Sequence, residues 1–417
     1  MFLNRIKTME DRKKNILPLI GIFISALIVQ TTSIISIVLP GIKEAFPEVS
    51  LNRIQLIATI PNIVMIASQL LTGPVSLKVS KKTIMLTACT ISFAGGMMFA
   101  LFGPSASGIG ILLIASALIG VGNGAFVIAL QSTIIDLYSG EKKGQVLGAL
   151  TFFASLGTMV LLALSGFLAK TRWSNAYYVF LLHILVFAMI LIFIPYSRPA
   201  LSGKAEGKGE KRSIGHVSAA LILYFVTYAL FYVSKYTHTL NYGLLVTSSG
   251  MGDTVNVGIV GSVGTFAAML GSLSTVYVQK YLKKYSMILS ILLTAVGMIV
   301  MYTAGTILAV YISAAILGFS GANLSTAVSV LMTDISSKAL APMVFAVSGI
   351  FTNVGVMLSP VVINSMSEAL FGGTYKGNYA AGALFLTVPL VLSLILLPVT
   401  RKESARIKAL DAEEQII

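Results

Sequence analysis

Long runs of apolar residues alternate with short polar segments along the whole chain. Each run is about as long as the ~20 residues that a helix needs to cross a bilayer, and none shows the strict alternation of membrane strands. Lipid offers the backbone no hydrogen-bond partner, so helices and closed barrels are the available structures, and these lengths favour helices. The pattern predicts an all-α integral membrane protein with twelve transmembrane helices, at residues 16–41, 52–73, 83–103, 109–136, 144–169, 176–196, 216–240, 255–279, 286–304, 307–334, 341–366 and 378–399.

The composition supports a lipid-embedded chain. Hydrophobic residues make up 56% of the sequence and charged residues 11%, against about 25% charged residues in a typical soluble domain. The net charge of +14 could suggest nucleic acid as a partner. We expect no nucleic-acid binding, however, because the basic residues form short groups between apolar runs. The lipid bilayer is the expected surrounding.

The distribution of positive charge predicts the orientation of the chain. With the N-terminus in the cytoplasm, the cytoplasmic segments carry 23 of the 29 lysines and arginines, and the outer segments carry six. Because cytoplasmic loops are enriched in these residues, we expect both termini to be cytoplasmic. The expected location is the plasma or inner membrane of the cell.

Several sequence features occur twice, about 200 residues apart. A Lys-x-x-Lys-Lys group follows the second and the eighth apolar run, and a glycine precedes an aspartate by sixteen residues in the fourth and the tenth. The paired positions are Lys78, Lys81 and Lys82 with Lys280, Lys283 and Lys284, and Gly120 and Asp136 with Gly318 and Asp334. Such internal duplication is typical of secondary transporters. It predicts an N-terminal bundle at 1–196, a Gly/Lys/Glu-rich cytoplasmic linker at 197–214, and a C-terminal bundle with a cytoplasmic tail at 215–417.

The loop between the second and third runs reads Gly73-Pro-Val-Ser-Leu77-Lys78-Val-Ser80-Lys81-Lys82. It resembles the loop motif of the major facilitator superfamily, Gly-x-x-x-Asp-Arg-x-Gly-Arg-Arg/Lys. The acidic position is Leu77 here and Gln279 in the second copy. The resemblance covers nearly the whole chain. It implies two pseudo-symmetric six-helix bundles and a transporter that works by alternating access, with no enzymatic activity, cofactor or metal, and with a monomeric state.

The same resemblance implies that spans 1, 4, 7 and 10 line a central cavity. Polar residues at the expected middle depth of those spans, and of span 11, are therefore candidates for substrate binding: Gln30, Thr31, Asn123, Tyr228, Asn323 and Asn353. Polar side chains in membrane helices are costly and often functional. The alternative for each Asn or Gln is a hydrogen bond between helices that only packs the bundle.

Span 7 carries the most specific pattern. Tyr224, Tyr228, Phe231, Tyr232 and Lys235 recur at three- and four-residue spacing, so they share one helical face. This face offers aromatic rings for stacking and one ammonium group for an anion. The alternative follows from the predicted end of the span at 240, which places the lysine nearer the outer surface than the middle. There it would extend its ammonium group to the membrane interface.

The acidic residues narrow the substrate class. None of the fifteen aspartates and glutamates falls in the middle of a predicted span, so a buried carboxylate for carrying protons or binding cationic drugs is missing. We therefore expect a small neutral or anionic organic substrate. Two alternatives stay open: export of amphipathic compounds, which the aromatic face and seventeen methionines would suit, and, less favoured, a membrane sensor that does not transport.

The duplicated loops also predict a cytoplasmic gate. The lysine groups lie beside helix ends that carry an aspartate in each half, so salt bridges there would help to close the cytoplasmic face when the transporter opens outward. The residues assigned to this gate are Gly73, Lys78, Lys81, Lys82, Asp136, Lys280, Lys283, Lys284 and Asp334.

Overall fold

A computed structural model describes residues 17–105, 108–138, 140–196, 219–282, 285–334 and 341–414. In these parts of the chain it contains helices and no strands, and twelve helical segments are long and apolar enough to cross a membrane. They are spans 1 to 12 in chain order: Leu17–Ala45, Leu51–Val75, Lys81–Ser105, Gly110–Leu137, Gln145–Leu168, Trp173–Phe193, Ala220–Ser248, Thr254–Thr275, Ser286–Thr303, Ile307–Met332, Val347–Phe371 and Tyr375–Thr400. The predicted fold class and the twelve spans are confirmed.

The chain divides into two compact units, Met1–Lys204 and Ala205–Ile417. The first contains spans 1–6 and the second contains spans 7–12. The expected linker at 197–214 lies outside the described residues, so the predicted domain boundaries stay a prediction.

Within each unit, glycines let helix backbones approach closely. A Cβ atom on Gly120 of span 4 would lie 2.8 Å from the Pro61 Cα of span 2, and one on Gly318 of span 10 would lie 2.8 Å from the Gly264 carbonyl carbon of span 8. Apolar side chains gain little by leaving lipid for a neighbouring apolar helix, so close backbone packing contributes much of the association between helices. The duplicated glycines therefore hold span 4 against span 2 and span 10 against span 8.

Span 1 is interrupted where the sequence predicted a continuous helix. Regular helix stops before the turn at residues 27–30, a short 3-10 helix follows at Thr31–Ile34, and an α-helix resumes at Ile35–Ala45. Gly157 of span 5 lies directly against the Leu27 backbone at this break. Non-helical backbone at membrane depth is tolerated where neighbouring protein covers it, and span 5 supplies that cover.

Span 7 belongs to a 30-residue helix, Ala219–Ser248, which continues past the predicted end at 240. Polar contacts fix one side of it to spans 11 and 12. Ser234 Oγ donates to the Gly382 carbonyl oxygen at 2.7 Å, Asn378 Nδ2 donates to Asn241 Oδ1 at 2.9 Å, and the Thr237 hydroxyl lies 3.4 Å from Ser359 Oγ. These contacts set the rotation of span 7 about its own axis.

The glycine contact of span 10 can be tested by adding a methyl group. Gly318→Ala should lower the melting temperature in detergent by several degrees, because the new Cβ would overlap the backbone at Gly264. Gly349→Ala in span 11 is the matched control, since nothing lies within 4 Å of a Cβ there. It should leave the melting temperature unchanged or raise it, because alanine favours helix over glycine by about 1 kcal/mol. Equal melting temperatures for both variants would contradict the close contact.

Candidate functional site

Two tyrosines of span 7 meet a serine of span 10. The hydroxyl of Tyr228 donates to Ser325 Oγ at 3.0 Å, and the hydroxyl of Tyr232 lies 3.1 Å from the same oxygen. The two rings are nearly perpendicular, with centroids 5.1 Å apart. The serine thus holds both phenols in one place. Nothing in the sequence pattern distinguishes this serine from the other hydroxyl residues of the spans.

Lys235 lies one turn further along the same face. Its side chain crosses Gly321 of span 10 so closely that a Cβ on this glycine would lie 2.9 Å from Lys235 Nζ. Its ammonium nitrogen is 5.5 Å from the centroid of the Tyr232 ring, in the range of a cation–π contact. The side chain is half-buried. We call Tyr228, Tyr232, Lys235, Gly321 and Ser325 the span 7–span 10 site.

The longer span 7 changes the depth of Lys235. The residue lies near the middle of the helix Ala219–Ser248, and Gly321 lies near the middle of Ile307–Met332. Both helices place this contact near their centres, which favours a mid-span position over the alternative nearer the outer surface. The direction of the side chain, across the face of span 10, also differs from that of a lysine extended along its own helix towards the interface.

The other two aromatic residues of the predicted face make different contacts. The hydroxyl of Tyr224 lies 2.7 Å from Thr400 Oγ1 at the end of span 12. Phe231 is fully buried, and its ring packs edge-on against that of Tyr232, with centroids 5.7 Å apart. The helical spacing therefore placed five residues on one side of span 7, and three of them, Tyr228, Tyr232 and Lys235, contact span 10 at this site.

Asn123 of span 4 connects three helices of the first unit. Its Oδ1 accepts hydrogen bonds from the hydroxyls of Ser92 in span 3, at 3.0 Å, and of Thr31 in span 1, at 3.3 Å. Asn123 and Thr31 are both buried, whereas Gln30 beside them is exposed. These contacts, made just after the break in span 1, favour the packing interpretation for the asparagine and the threonine.

Asn323 and Asn353 also have partners inside the second unit. Asn323 Oδ1 accepts from the Thr275 hydroxyl at 3.1 Å, and its Nδ2 donates to Ser274 Oγ at 3.3 Å, which connects spans 10 and 8. Asn353 Nδ2 donates to the Gly349 carbonyl oxygen of its own helix at 2.8 Å. These hydrogen bonds go to residues outside the span 7–span 10 site.

In the first copy of the predicted gate, the lysines bind the ends of neighbouring helices. Lys81 forms a salt bridge with Asp136, which ties the start of span 3 to the end of span 4. Lys82 Nζ donates to the Leu191 carbonyl oxygen in the last turn of span 6, at 2.8 Å, where the helix dipole favours a cation. Gly73 and Lys78 are exposed.

The segment after span 4 contains a further contact. Lys142 Nζ lies 5.2 Å from the centroid of the Tyr138 ring, and burial raises the pKa of the Tyr138 hydroxyl.

In the second copy of the gate, Lys280 is exposed and its Nζ lies 5.7 Å from the centroid of the Tyr281 ring. Lys283 and Lys284 lie outside the described residues, and Asp334 ends the helix Ile307–Asp334.

Comparison with known families identifies the fold. The family model described as Major Facilitator Superfamily matches residues 19–282 and 221–416. The chain belongs to the major facilitator superfamily. This transporter family, together with the transporter structures described next, identifies the chain as a multi-pass membrane transporter and not an enzyme.

Three solved structures illustrate the shared fold of this superfamily member. A mutant of the peptide transporter POT in complex with alafosfalin has 13% identity and a TM-score of 0.71, covering 93% of this chain and 95% of that one. A mutant of the nucleoside transporter NupG has 14% identity and a TM-score of 0.72, with 92% and 99% covered. An inward-facing bacterial homolog of the human lysosomal transporter Spinster has 15% identity and a TM-score of 0.66, with 94% and 96% covered. No curated protein matches the chain.

The Asn123 contacts can be tested by a double-mutant cycle. Asn123→Ala and Ser92→Ala each remove one partner of the hydrogen bond between spans 3 and 4. The double variant should therefore lose less stability than the sum of the two, with a coupling energy of about 1 kcal/mol measured by unfolding in detergent. Asn123→Ala combined with Asn353→Ala should be additive, because these residues lie in different units. Full additivity of the first pair would contradict the packing role.

Proposed function

We propose that this protein is a secondary transporter for a small organic anion, and that Lys235 holds the anionic group of the substrate. Its two six-helix bundles would expose the site alternately to the two sides of the cell membrane, with both termini in the cytoplasm and with the monomer as the working unit. The observation that carries the proposal is the position of one charge. Among the charged side chains of the twelve described spans, Lys235 alone lies away from a span end.

The placement of acidic residues supports an anionic rather than a cationic substrate. In the described spans, Glu44, Asp136 and Glu368 each lie in the last turn of their span. In a site of low dielectric constant, the ammonium group of Lys235 attracts anions and repels cations. A charged residue inside a membrane helix is costly, and such residues usually mark substrate pathways.

The neighbours of Lys235 suggest the rest of the substrate. Tyr232 lies about one turn of helix before Lys235, with its ring 5.5 Å from the ammonium nitrogen, and Tyr228 lies two turns before it. Both tyrosine hydroxyls contact Ser325 Oγ of span 10. Rings can stack on a flat apolar group, and the hydroxyls can exchange their mutual hydrogen bonds for bonds to a polar substrate. A compact anion with an aromatic or flat apolar part fits this chemistry best. The structural neighbours share 12–15% identity with the chain, so the substrate is inferred from these side chains.

The second candidate is export of amphipathic compounds. The aromatic rings of span 7 favour it, since such rings also bind drug-like cations. Uptake assays in proteoliposomes with and without a pH gradient separate the two functions. Transport of a cationic dye driven by a proton gradient would refute the anion proposal, while binding of ligands without any transport would favour a membrane sensor.

The proposed role of Lys235 leads to a direct test. We would measure uptake of radiolabelled phenyl phosphate, benzenesulfonate and 4-hydroxybenzoate into proteoliposomes, and binding of the same anions by thermal shift. Lys235→Met should reduce binding and uptake at least about tenfold, because a lost charge-assisted contact is worth about 1.5–3 kcal/mol. Gly321→Ala should weaken binding in the same direction, because its methyl group displaces the ammonium group.

Two variants control this experiment. Lys376→Met removes a lysine that lies at the start of span 12 and should leave uptake unchanged. Lys235→Arg keeps the charge and should retain part of the binding. If Lys235→Met transports the anions at the rate of the unmodified protein, the proposed role is wrong.

The gate proposal follows from the salt bridge between Lys81 and Asp136. The pair lies within one unit. It would therefore act by holding the end of span 4 in the position of either the inward-open or the outward-open state. We extend the same role to Asp334 at the end of span 10, as the duplication suggests. The ends of spans 4 and 10, which are predicted to be cytoplasmic, would then determine how readily the cytoplasmic face of the transporter closes.

Charge changes at these helix ends test the gate. Asp136→Lys and Asp334→Lys should each slow transport several-fold while leaving anion binding unchanged, because they act on the conformational step and not on the site. The charge swap Lys81→Asp with Asp136→Lys should restore part of the rate, since it rebuilds the pair. Unchanged transport kinetics in Asp334→Lys would count against the gate.

A further inference from the structure

We infer that Lys235, whose ammonium group has no carboxylate partner among the described residues, makes this transporter an obligatory exchanger, which reorients only while an anion occupies the span 7–span 10 site. This inference rests on the proposed function and goes beyond it. It assigns the coupling mode, namely exchange of one anion for another rather than one-way transport.

The first step is the lack of an internal counter-charge. Within the residues that the structure describes, no carboxylate forms a salt bridge with Lys235, and the carboxylate of Asp136 is paired with Lys81. The acidic residues of the described spans all lie at span ends, so a side-chain rotation within these spans does not bring a carboxylate to Lys235. Within the described part of the chain, a bound anion is therefore the group that can neutralise the lysine.

Few groups in the site can stabilise the Lys235 ammonium group when no anion is bound. Tyr232 contributes a ring at 5.5 Å from the ammonium nitrogen, and a cation–π contact is weaker than a salt bridge in a dry site. Tyr228 and Tyr232 already direct their hydroxyls to Ser325 Oγ. Gly321 packs against the carbon chain of the lysine and contributes no side chain. The buried Nδ1 of His238, one turn further along span 7, has no hydrogen-bond partner among the described residues, but a neutral imidazole carries no charge that could balance the lysine. An open site can hydrate the ammonium group, whereas a closed, empty site leaves its charge unbalanced.

The third step is the conformational cycle. In alternating access the site passes through a state that is closed on both sides of the membrane. Closing it around a lone cation removes the hydration of that cation, whereas closing it around a cation–anion pair does not leave a net charge in the low-dielectric interior. This dehydration cost raises the free-energy barrier to reorientation only when the site is empty. We therefore expect the empty transporter to reorient about a hundredfold more slowly than the transporter with a bound anion.

This mechanism predicts that removing the charge frees the empty transporter. The test uses single-molecule fluorescence energy transfer in liposomes, with Cys89→Ser as background and dyes at Ser105→Cys and Thr306→Cys. These exposed residues lie at the end of span 3 and just after span 9. In dilute chloride buffer without an organic anion, the protein with Lys235 should switch states rarely. Lys235→Met should switch at least about tenfold more often.

Matched variants keep the test specific. Lys235→Arg should switch as rarely as the unmodified protein, and Lys376→Met, with a charge removed at a span end, should not change the frequency. Lys235→Gln serves as a second neutral variant if Lys235→Met unfolds at lower temperature. Equal switching frequencies with Lys235 and with a neutral residue would overturn the inference.

Transport measurements separate this inference from the proposed function. Proteoliposomes preloaded with phenyl phosphate should take up labelled phenyl phosphate at least about tenfold faster than empty ones. Equal uptake by loaded and empty vesicles would overturn exchange while leaving anion transport intact. Absence of uptake of every tested anion in both kinds of vesicle, with switching still faster in Lys235→Met, would instead refute the proposed substrate class.

Discussion

In a bilayer the backbone must satisfy its own hydrogen bonds, because lipid offers it no partner. A polar or charged side chain without a partner inside the protein raises the free energy of the folded state. The architecture of this chain follows from that constraint. Twelve helices satisfy the backbone, and glycines such as Gly120 and Gly318 allow them to approach closely. Polar side chains in the spans connect helices to one another, as Asn123 does for spans 1, 3 and 4.

Against that background, Lys235 is exceptional. Most of the polar side chains considered as site candidates bind a neighbour: Asn123 binds Ser92, Asn323 binds Thr275, and Asn353 binds its own helix. The lysine lies near the centres of two helices, with a tyrosine ring 5.5 Å from its ammonium nitrogen and no salt bridge to a described carboxylate. A charged residue inside a membrane span is energetically unfavourable and usually has a function. Binding of an external anion is the function that the chemistry of this site supports best.

The two units use related solutions with different side chains. Span 4 meets span 2 through Gly120, and span 10 meets span 8 through Gly318. Each unit also has a Thr–Ser–Asn cluster, formed by Thr31, Ser92 and Asn123 in the first and by Thr275, Ser274 and Asn323 in the second. The second unit adds the tyrosines and the lysine of the span 7–span 10 site. Duplication therefore supplies the common scaffold, while the proposed substrate chemistry is concentrated in the second unit.

The sequence by itself determined the fold class, the number of spans and most of their ends, because a helix that crosses lipid leaves a long apolar run. It also located Tyr228, Tyr232 and Lys235 on one face through their helical spacing. Ser325 and Ser92 were not found, because spacing alone does not reveal the partner of a hydroxyl group in a span. Only the tertiary structure decided that span 7 continues to Ser248 and brings Lys235 against Gly321. The depth of a side chain depends on where its helix ends and on which helix packs beside it, and neither is encoded in local hydropathy.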